Sequence, residues 1–152
     1  MIRKAVGAIV FQKDKFLVVH KTNINTIDGK QNIQGEWDFV KGKVEKSDKD
    51  YKDALLRELQ EETGSIEYKI IKEFDQKINF DFPDELKEKI GYDKQVTTMF
   101  LVEFMGGSNS LISQDNEISN IAFLDPYHVV EILPHQETRD YFIQYVKGKF
   151  LL

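Results

Sequence analysis

Cysteine is absent from the 152 residues, which excludes a disulfide framework, a thiolate-held metal and a cysteine nucleophile. Histidine is scarce: His20, His128 and His135 are scattered with no metal-ligand spacing, so an imidazole-held metal is not expected. No apolar run approaches the roughly 20 residues that a membrane helix needs, and no membrane partner is expected. Residues Ala5 to Phe11, behind Arg3 and Lys4, have the outline of a signal peptide. The run is short, continues into Gln12-Lys13-Asp14-Lys15 and lacks a small-residue cleavage site, so it reads as a first strand, with the cytoplasm as the expected compartment. A P-loop, a dinucleotide fingerprint and a Gly-x-Ser-x-Gly elbow are also missing. The formal net charge of -5 argues against a broad grip on duplex DNA, which requires many Lys and Arg contacts. A small phosphorylated ligand, held by a few basic groups, remains open.

What is present is an ordinary globular balance of 41% apolar and 31% charged residues, enough for one folded domain over 1–152 with a core that needs no staples. The sequence leaves the oligomeric state undetermined. Ala5 to Phe11 and Phe16 to His20 read as a hairpin. Asn23 to Gly35 is polar and reads as a loop leading to a short strand at Trp37 to Phe39. Helical spacing begins at Asp50, with Tyr51, Leu55 and Leu59 every fourth residue and Ala54 beside them, and Gly64 supplies the stop. Alternation at Ile66 to Ile70 and at Ile78 to Phe82 predicts two separate strands, and Pro83-Asp84 opens a short helix to Ile90. A long strand from Gln95 to Phe104, a loop from Gly106 to Asn116, a strand from Asn120 to Leu124 and a helical remainder broken at Pro134 complete the order. This mixture predicts an α+β domain, an α/β/α sandwich in which a mixed sheet packs between helices.

The most informative segment is Arg57-Glu58-Leu59-Gln60-Glu61-Glu62-Thr63-Gly64. Glu58, Glu61 and Glu62 are spaced i+3 and i+4, so their carboxylates leave one side of the helix within about one turn. They repel one another and sit at the helix C-terminus, where the macrodipole disfavours anions. A solvated acidic face is one explanation. A hard divalent cation is the other, since Mg2+ takes oxygen ligands and shares them with substrate phosphates.

With a glycine loop before it, an arginine beside the first Glu and a glycine after it, the segment resembles the signature of the Nudix hydrolases. That signature reads Gly, five residues, Glu, seven residues, Arg-Glu, an aliphatic, any residue, Glu-Glu, any residue, Gly, aliphatic. Gly42 opens it, and residues 57 to 64 match its second half throughout. The first half departs: Gly42 and Arg57 lie 15 positions apart instead of 14, the early acid falls on Asp48 or Lys49, and Ser65 replaces the closing aliphatic. The resemblance implies a Nudix-like mixed sheet and an enzyme that hydrolyses phosphoanhydrides. It makes Glu58, Glu61 and Glu62 ligands of Mg2+, with Mn2+ as a substitute and the Gly42 carbonyl as a further ligand. It gives Arg57 the role of orienting a carboxylate, and offers Glu58 or Glu117 as general base.

Substrate hints lie outside the signature. Trp37-Asp38-Phe39-Val40-Lys41-Gly42-Lys43 is similar to a segment of dinucleoside polyphosphate hydrolases and RNA 5′-pyrophosphohydrolases, with Val40 in place of a usual proline. By that resemblance Lys41, Lys43, Arg3, Tyr92, Gln95 and Phe82 are candidate contacts to phosphates and base. Diadenosine tetraphosphate or a 5′-triphosphorylated RNA end is the expected substrate. The alternatives are a nucleoside triphosphate, ADP-ribose, and a module that binds nucleotide without turnover.

Overall fold

Alternating apolar residues in the N-terminal strands send side chains to both sides of one sheet, and the architecture follows from where each side is covered. The computed structural model describes residues 1–26, 29–107, 111–112 and 118–148, excepting the side chains of 23–34 and 119. Its strands are β1 (Ile2–Gln12), β2 (Lys15–Thr26), β3 (Gly29–Asp38), β4 (Val40–Lys43), β5 (Tyr68–Asp81), β6 (Lys94–Phe104) and β7 (Ile118–Leu124). The helices are α1 (Tyr51–Thr63), α2 (Asp84–Ile90), α3 (Pro126–Ile132) and α4 (Gln136–Phe142), the last continued by a π-helical turn over Ile143–Lys147.

The sheet order is β3-β2-β1-β6-β5, with β4 paired to β1 and β7 to β2. β1 runs parallel to β6 and antiparallel to its other partners, so the sheet is mixed. Val6, Ala8 and Val10 of β1 pack with Leu17, Val19, Val40, Phe100 and Val102 beneath Ala54, Leu55 and Leu59 of α1. On the other face Ile9, Phe16, Val18, Phe39 and Met99 pack with Val129, Leu133, Phe142 and Val146 from the C-terminal helices. The expected sandwich is the observed fold.

Two elements differ from expectation. The polar stretch read as a loop from Asn23 to Gly35 is largely strand: Asn23 pairs with Asn32 and Thr26 with Gly29. Pairing there is made by the backbone, which periodicity of side chains does not report. The two strands expected around 66–70 and 78–82 are one strand, β5, whose register against β6 shifts between Ile70 and Lys72 and again between Glu73 and Lys77. Bulges absorb the polar interval that interrupts the alternation.

Helix α1 is fixed at both ends. Asp50 caps it by accepting from the Asp53 amide at 2.8 Å, while Asp53 accepts from the Lys49 amide at 3.1 Å. Gly64 ends it at φ 75°, and a Cβ there would meet the Ile112 carbonyl oxygen at 2.3 Å, so this position needs glycine for both conformation and clearance. Ile112 donates its amide to the Thr63 carbonyl at 2.9 Å, satisfying one of the helix's terminal acceptors.

Phe142 holds the C-terminal helices to the sheet, with ring centroids 5.1 Å from Phe16 and 5.6 Å from Phe39 and no exposed surface. Phe142→Ala is expected to cost about 3 to 5 kcal/mol in urea unfolding. A loss below about 1 kcal/mol would show that this layer is not part of the cooperative core.

Candidate active site

The acidic end of α1 is built around Arg57. Its guanidinium grips Asp48 with two bonds, Nε to Oδ1 and Nη2 to Oδ2, both 2.9 Å. Nη2 also donates to the Lys43 carbonyl at 3.0 Å, and Nη1 donates to Glu58 Oε1 at 2.8 Å and approaches both Glu61 oxygens at 3.4 Å. Glu45 lies 3.5 Å from Nη1. Asp48, and not Lys49, is therefore the early acid of the signature, and the extra residue lies between Asp48 and Arg57. Asp48 is braced as well by the Glu45 amide, which donates to Oδ2 at 2.8 Å. The bonds from Arg57 hold the Asp48 carboxyl below its ordinary range despite burial, and they keep the guanidinium firmly protonated.

Glu58 and Glu62 lie on the buried stripe of α1, at 9% and 1% exposure, whereas the Glu61 side chain is half exposed. Burial pushes Glu58 up to about 7, with Arg57 opposing the shift and the Glu61 charge adding to it. Gly42 is where it is for space: a Cβ would fall 1.9 Å from the Glu58 carboxyl carbon. Glu62 Oε1 stands 3.8 Å from the Lys21 ammonium, which also donates to the Lys41 carbonyl at 3.4 Å.

Among the described residues, no three acidic or imidazole side chains close on one point tightly enough to enclose a metal ion. The oxygen-only donor set nevertheless suits Mg2+, which is commonly held by one or two carboxylates and completed by water and phosphate oxygens. Gly42 lets the Glu58 carboxylate lie against β4, and the shared Arg57 contact leaves Glu58 and Glu61 on one side of α1, a donor set of the kind that suits such an ion. Glu117, the other candidate base, lies outside the described residues.

The basic candidates occupy the opposite face of the sheet. In β4 the residues alternate, so Val40 packs under α1 and Gly42 faces Glu58, while Lys41 reaches Thr138 of α4. Lys41, by the resemblance a candidate phosphate contact, is engaged within the fold instead. It donates to Thr138 Oγ1 at 2.7 Å and pairs with Asp38 Oδ1 at 3.2 Å, with 11% of its side chain exposed. Burial alone would raise Asp38, but Lys41 and Lys21 outweigh it and hold the carboxyl low. Burial also pulls Lys41 down, and Asp38 restores only part of the loss.

Lys43 remains available, its ammonium 5.1 Å from the centre of the Tyr92 ring. Ala5 stands opposite Lys43 in β4 and beside Thr97 in β6, and Arg3 is in register with Gln95, so these residues share one surface. Gln95 donates to Thr97 Oγ1 at 3.2 Å and is the cross-strand partner of Phe80. Phe82 is a core residue, 9% exposed and edge-on to Phe80 at 5.4 Å, so its contribution is to hold Phe80. Phe80 in turn meets His135 at 5.5 Å, and His135 Nε2 is 2.8 Å from Glu36 Oε2. Lys21, Asp38, Phe80, Glu36, His135 and Thr138 were not anticipated as members of these clusters. Only the tertiary fold brings them together, because their separations in sequence carry no motif.

Comparison with known proteins agrees with this fold. A family model described as NUDIX domain matches residues 1–146. An RNA pyrophosphohydrolase from Bartonella bacilliformis is 29% identical over 137 residues, covering 87% of this chain and 80% of that protein. One from Campylobacter jejuni is 31% identical over 108 residues, covering 70% of this chain and 69% of that protein. The solved E. coli dihydroneopterin triphosphate pyrophosphohydrolase superposes with a TM-score of 0.72 at 16% identity over 95% of each chain, a likeness of fold. Among the described residues no helix is long and apolar enough to cross a membrane.

The Asp48 to Arg57 grip sets a pH dependence. A carboxyl held low in the fold contributes stability above the ordinary value near 3.8, and the contribution disappears as pH falls through the folded value. Asp48→Asn is expected to cost about 1.5 to 3 kcal/mol at neutral pH, the range for hydrogen bonds to charged groups. The gap between variant and parent should shrink as pH is lowered below that value. A gap that stays constant down to acid unfolding would show that the carboxylate charge is not what Arg57 uses.

Proposed function

We infer the activity from one premise: the chain belongs to the Nudix family. It is a hydrolase of that family, and the reading that fits its site is a Mg2+-dependent pyrophosphohydrolase that cleaves a phosphoanhydride in a nucleotide-linked substrate. The observation that carries this reading is the Arg57 grip, which holds Glu58 and Glu61 on one guanidinium beside Gly42. An acidic surface face would need neither the buried Glu62 nor the buried Asp48.

In this reading Glu58, Glu61 and Glu62, with the Gly42 carbonyl, would hold the cation. When bound, Mg2+ supplies Lewis-acid polarisation of phosphoryl oxygens and an acidified water as nucleophile. The protein's own part is positional. Arg57 fixes the Glu58 carboxylate and keeps Glu61 beside it. Glu58, beside the Arg57 guanidinium, is the candidate base that lies among the described residues. Across the sheet, Lys43, Arg3 and Gln95 offer donors to a phosphate chain. Tyr92 and Phe80 offer faces for a base, where stacking contributes roughly 1 to 3 kcal/mol in comparable systems.

For the substrate we favour a 5′-triphosphorylated RNA end or diadenosine tetraphosphate. Both present a phosphate chain longer than one pyrophosphate, which suits a set of three separated donors. The sequence relatives named RNA pyrophosphohydrolase support the first.

Glu61→Gln is expected to lower turnover by at least about a hundredfold at fixed Mg2+ with little change in thermal stability, because the side chain is exposed and serves as a charged ligand. Full activity in that variant would move the metal site elsewhere. Across triphosphorylated RNA, diadenosine tetraphosphate, ADP-ribose and single nucleoside triphosphates, the first two should give the highest kcat/KM. Lys43→Ala should reduce that value by about 1 to 3 kcal/mol, as expected for one charged contact. Preference for ADP-ribose or a single triphosphate would overturn the substrate assignment, and nucleotide binding without turnover of any of them would overturn the enzymatic one.

A further inference from the structure

Strand β2 sends Leu17 and Val19 to the side of the sheet covered by α1, and Lys21 is the next residue in that alternation. Against β7 the register shifts between His20 and Lys21, and against β3 it shifts between Lys21 and Asn23. Lys21 itself stays paired on both sides, with Glu36 of β3 and Ile118 of β7, so its backbone is held by the sheet. Its side chain therefore runs towards the acidic end of α1: the ammonium lies 3.8 Å from Glu62 and donates to the Lys41 carbonyl, the peptide immediately before Gly42. Its side chain is 19% exposed and that of Glu62 1%, so the pair lies in surroundings that screen charge poorly.

A carboxylate as deeply placed as Glu62 requires a nearby positive charge. Two cations compete for that role, a divalent ion at the carboxylates and the ammonium already tethered there. We propose that Lys21 is the resident counter-cation of the carboxylate centre. It neutralises Glu62 while the centre is without metal and, by its own charge, sets the affinity for a divalent ion well below what the carboxylates alone would give. Lys21 is then a positioning residue that also makes metal binding readily reversible. The inference rests on the reading of Glu62 as a metal ligand.

Titration with Mn2+ alone, without nucleotide, followed by calorimetry and by the paramagnetic relaxation of water, tests it. Lys21→Met should bind Mn2+ at least about tenfold more tightly than the parent, because a like charge near the ion has been removed. The same variant should melt lower without metal and gain more on Mn2+ addition than the parent does, as tighter binding to the folded state requires. Lys21→Arg, which keeps the charge, should bind Mn2+ as the parent does. If Lys21→Met does not fold, Lys21→Gln carries the same comparison. Equal Mn2+ affinity in the parent and the neutral variants, with the difference appearing only as a raised KM for nucleotide, would overturn the inference and make Lys21 a phosphate contact. A parent that binds no Mn2+ would overturn the metal reading beneath it.

Discussion

Like charges gathered on one helical turn separate unless something holds them, and in this fold one guanidinium does the holding. Arg57 meets Asp48, Glu58, Glu61 and the Lys43 carbonyl, so the last turn of α1, the loop before it and the end of β4 share a single cation. A lysine in its place would offer a point charge without the planar fork that grips Asp48 by two parallel bonds. Every other feature of the acidic centre is adjusted to that arrangement: the glycine at position 42 that clears Glu58, the acid at 48 and the burial of Glu62.

The sheet keeps this acidic chemistry apart from a basic and aromatic surface. Carboxylates stand under α1, while Lys43, Arg3, Gln95 and the Phe80 ring lie with the C-terminal helices on the other side. Lys41 connects the two only indirectly, its carbonyl held by Lys21 and its ammonium by Asp38 and Thr138. The buried Asp38–Lys41 pair, which leaves a costly unpaired charge when one partner is removed, joins β4 to the end of β3, and the Thr138 hydroxyl adds a hydrogen bond from α4.

Much of this was legible in the sequence because local rules operate there. The i+3 and i+4 spacing of Glu58, Glu61 and Glu62, the Gly64 stop and the apolar stripe of α1 are short-range facts, and each appears in the structure as read. Lys41 misled because a motif reports a residue's position along the chain, whereas its partners Asp38 and Thr138 come from the end of β3 and from a helix far along the sequence. Lys21 belongs to no motif: it continues the face of Leu17 and Val19, and that this face meets Glu62 is a property of the packing of α1 on the sheet. The Asn23 to Thr26 strand was hidden for a related reason, its pairing being made by backbone groups that carry no side-chain code.

β4 is only four residues long, yet it is the partition between the two surfaces. Because successive side chains of a strand point to opposite sides, moving this one by a single position would turn Lys41 or Lys43 into the space beside Glu58 and carry the glycine away from it. Substitutions here act one at a time, but a shift in frame would exchange the whole pattern at once. The segment from Val40 to Lys43 therefore has a fixed phase as well as a fixed glycine, and an insertion or deletion within it would displace that glycine from Glu58 even if every residue type were kept.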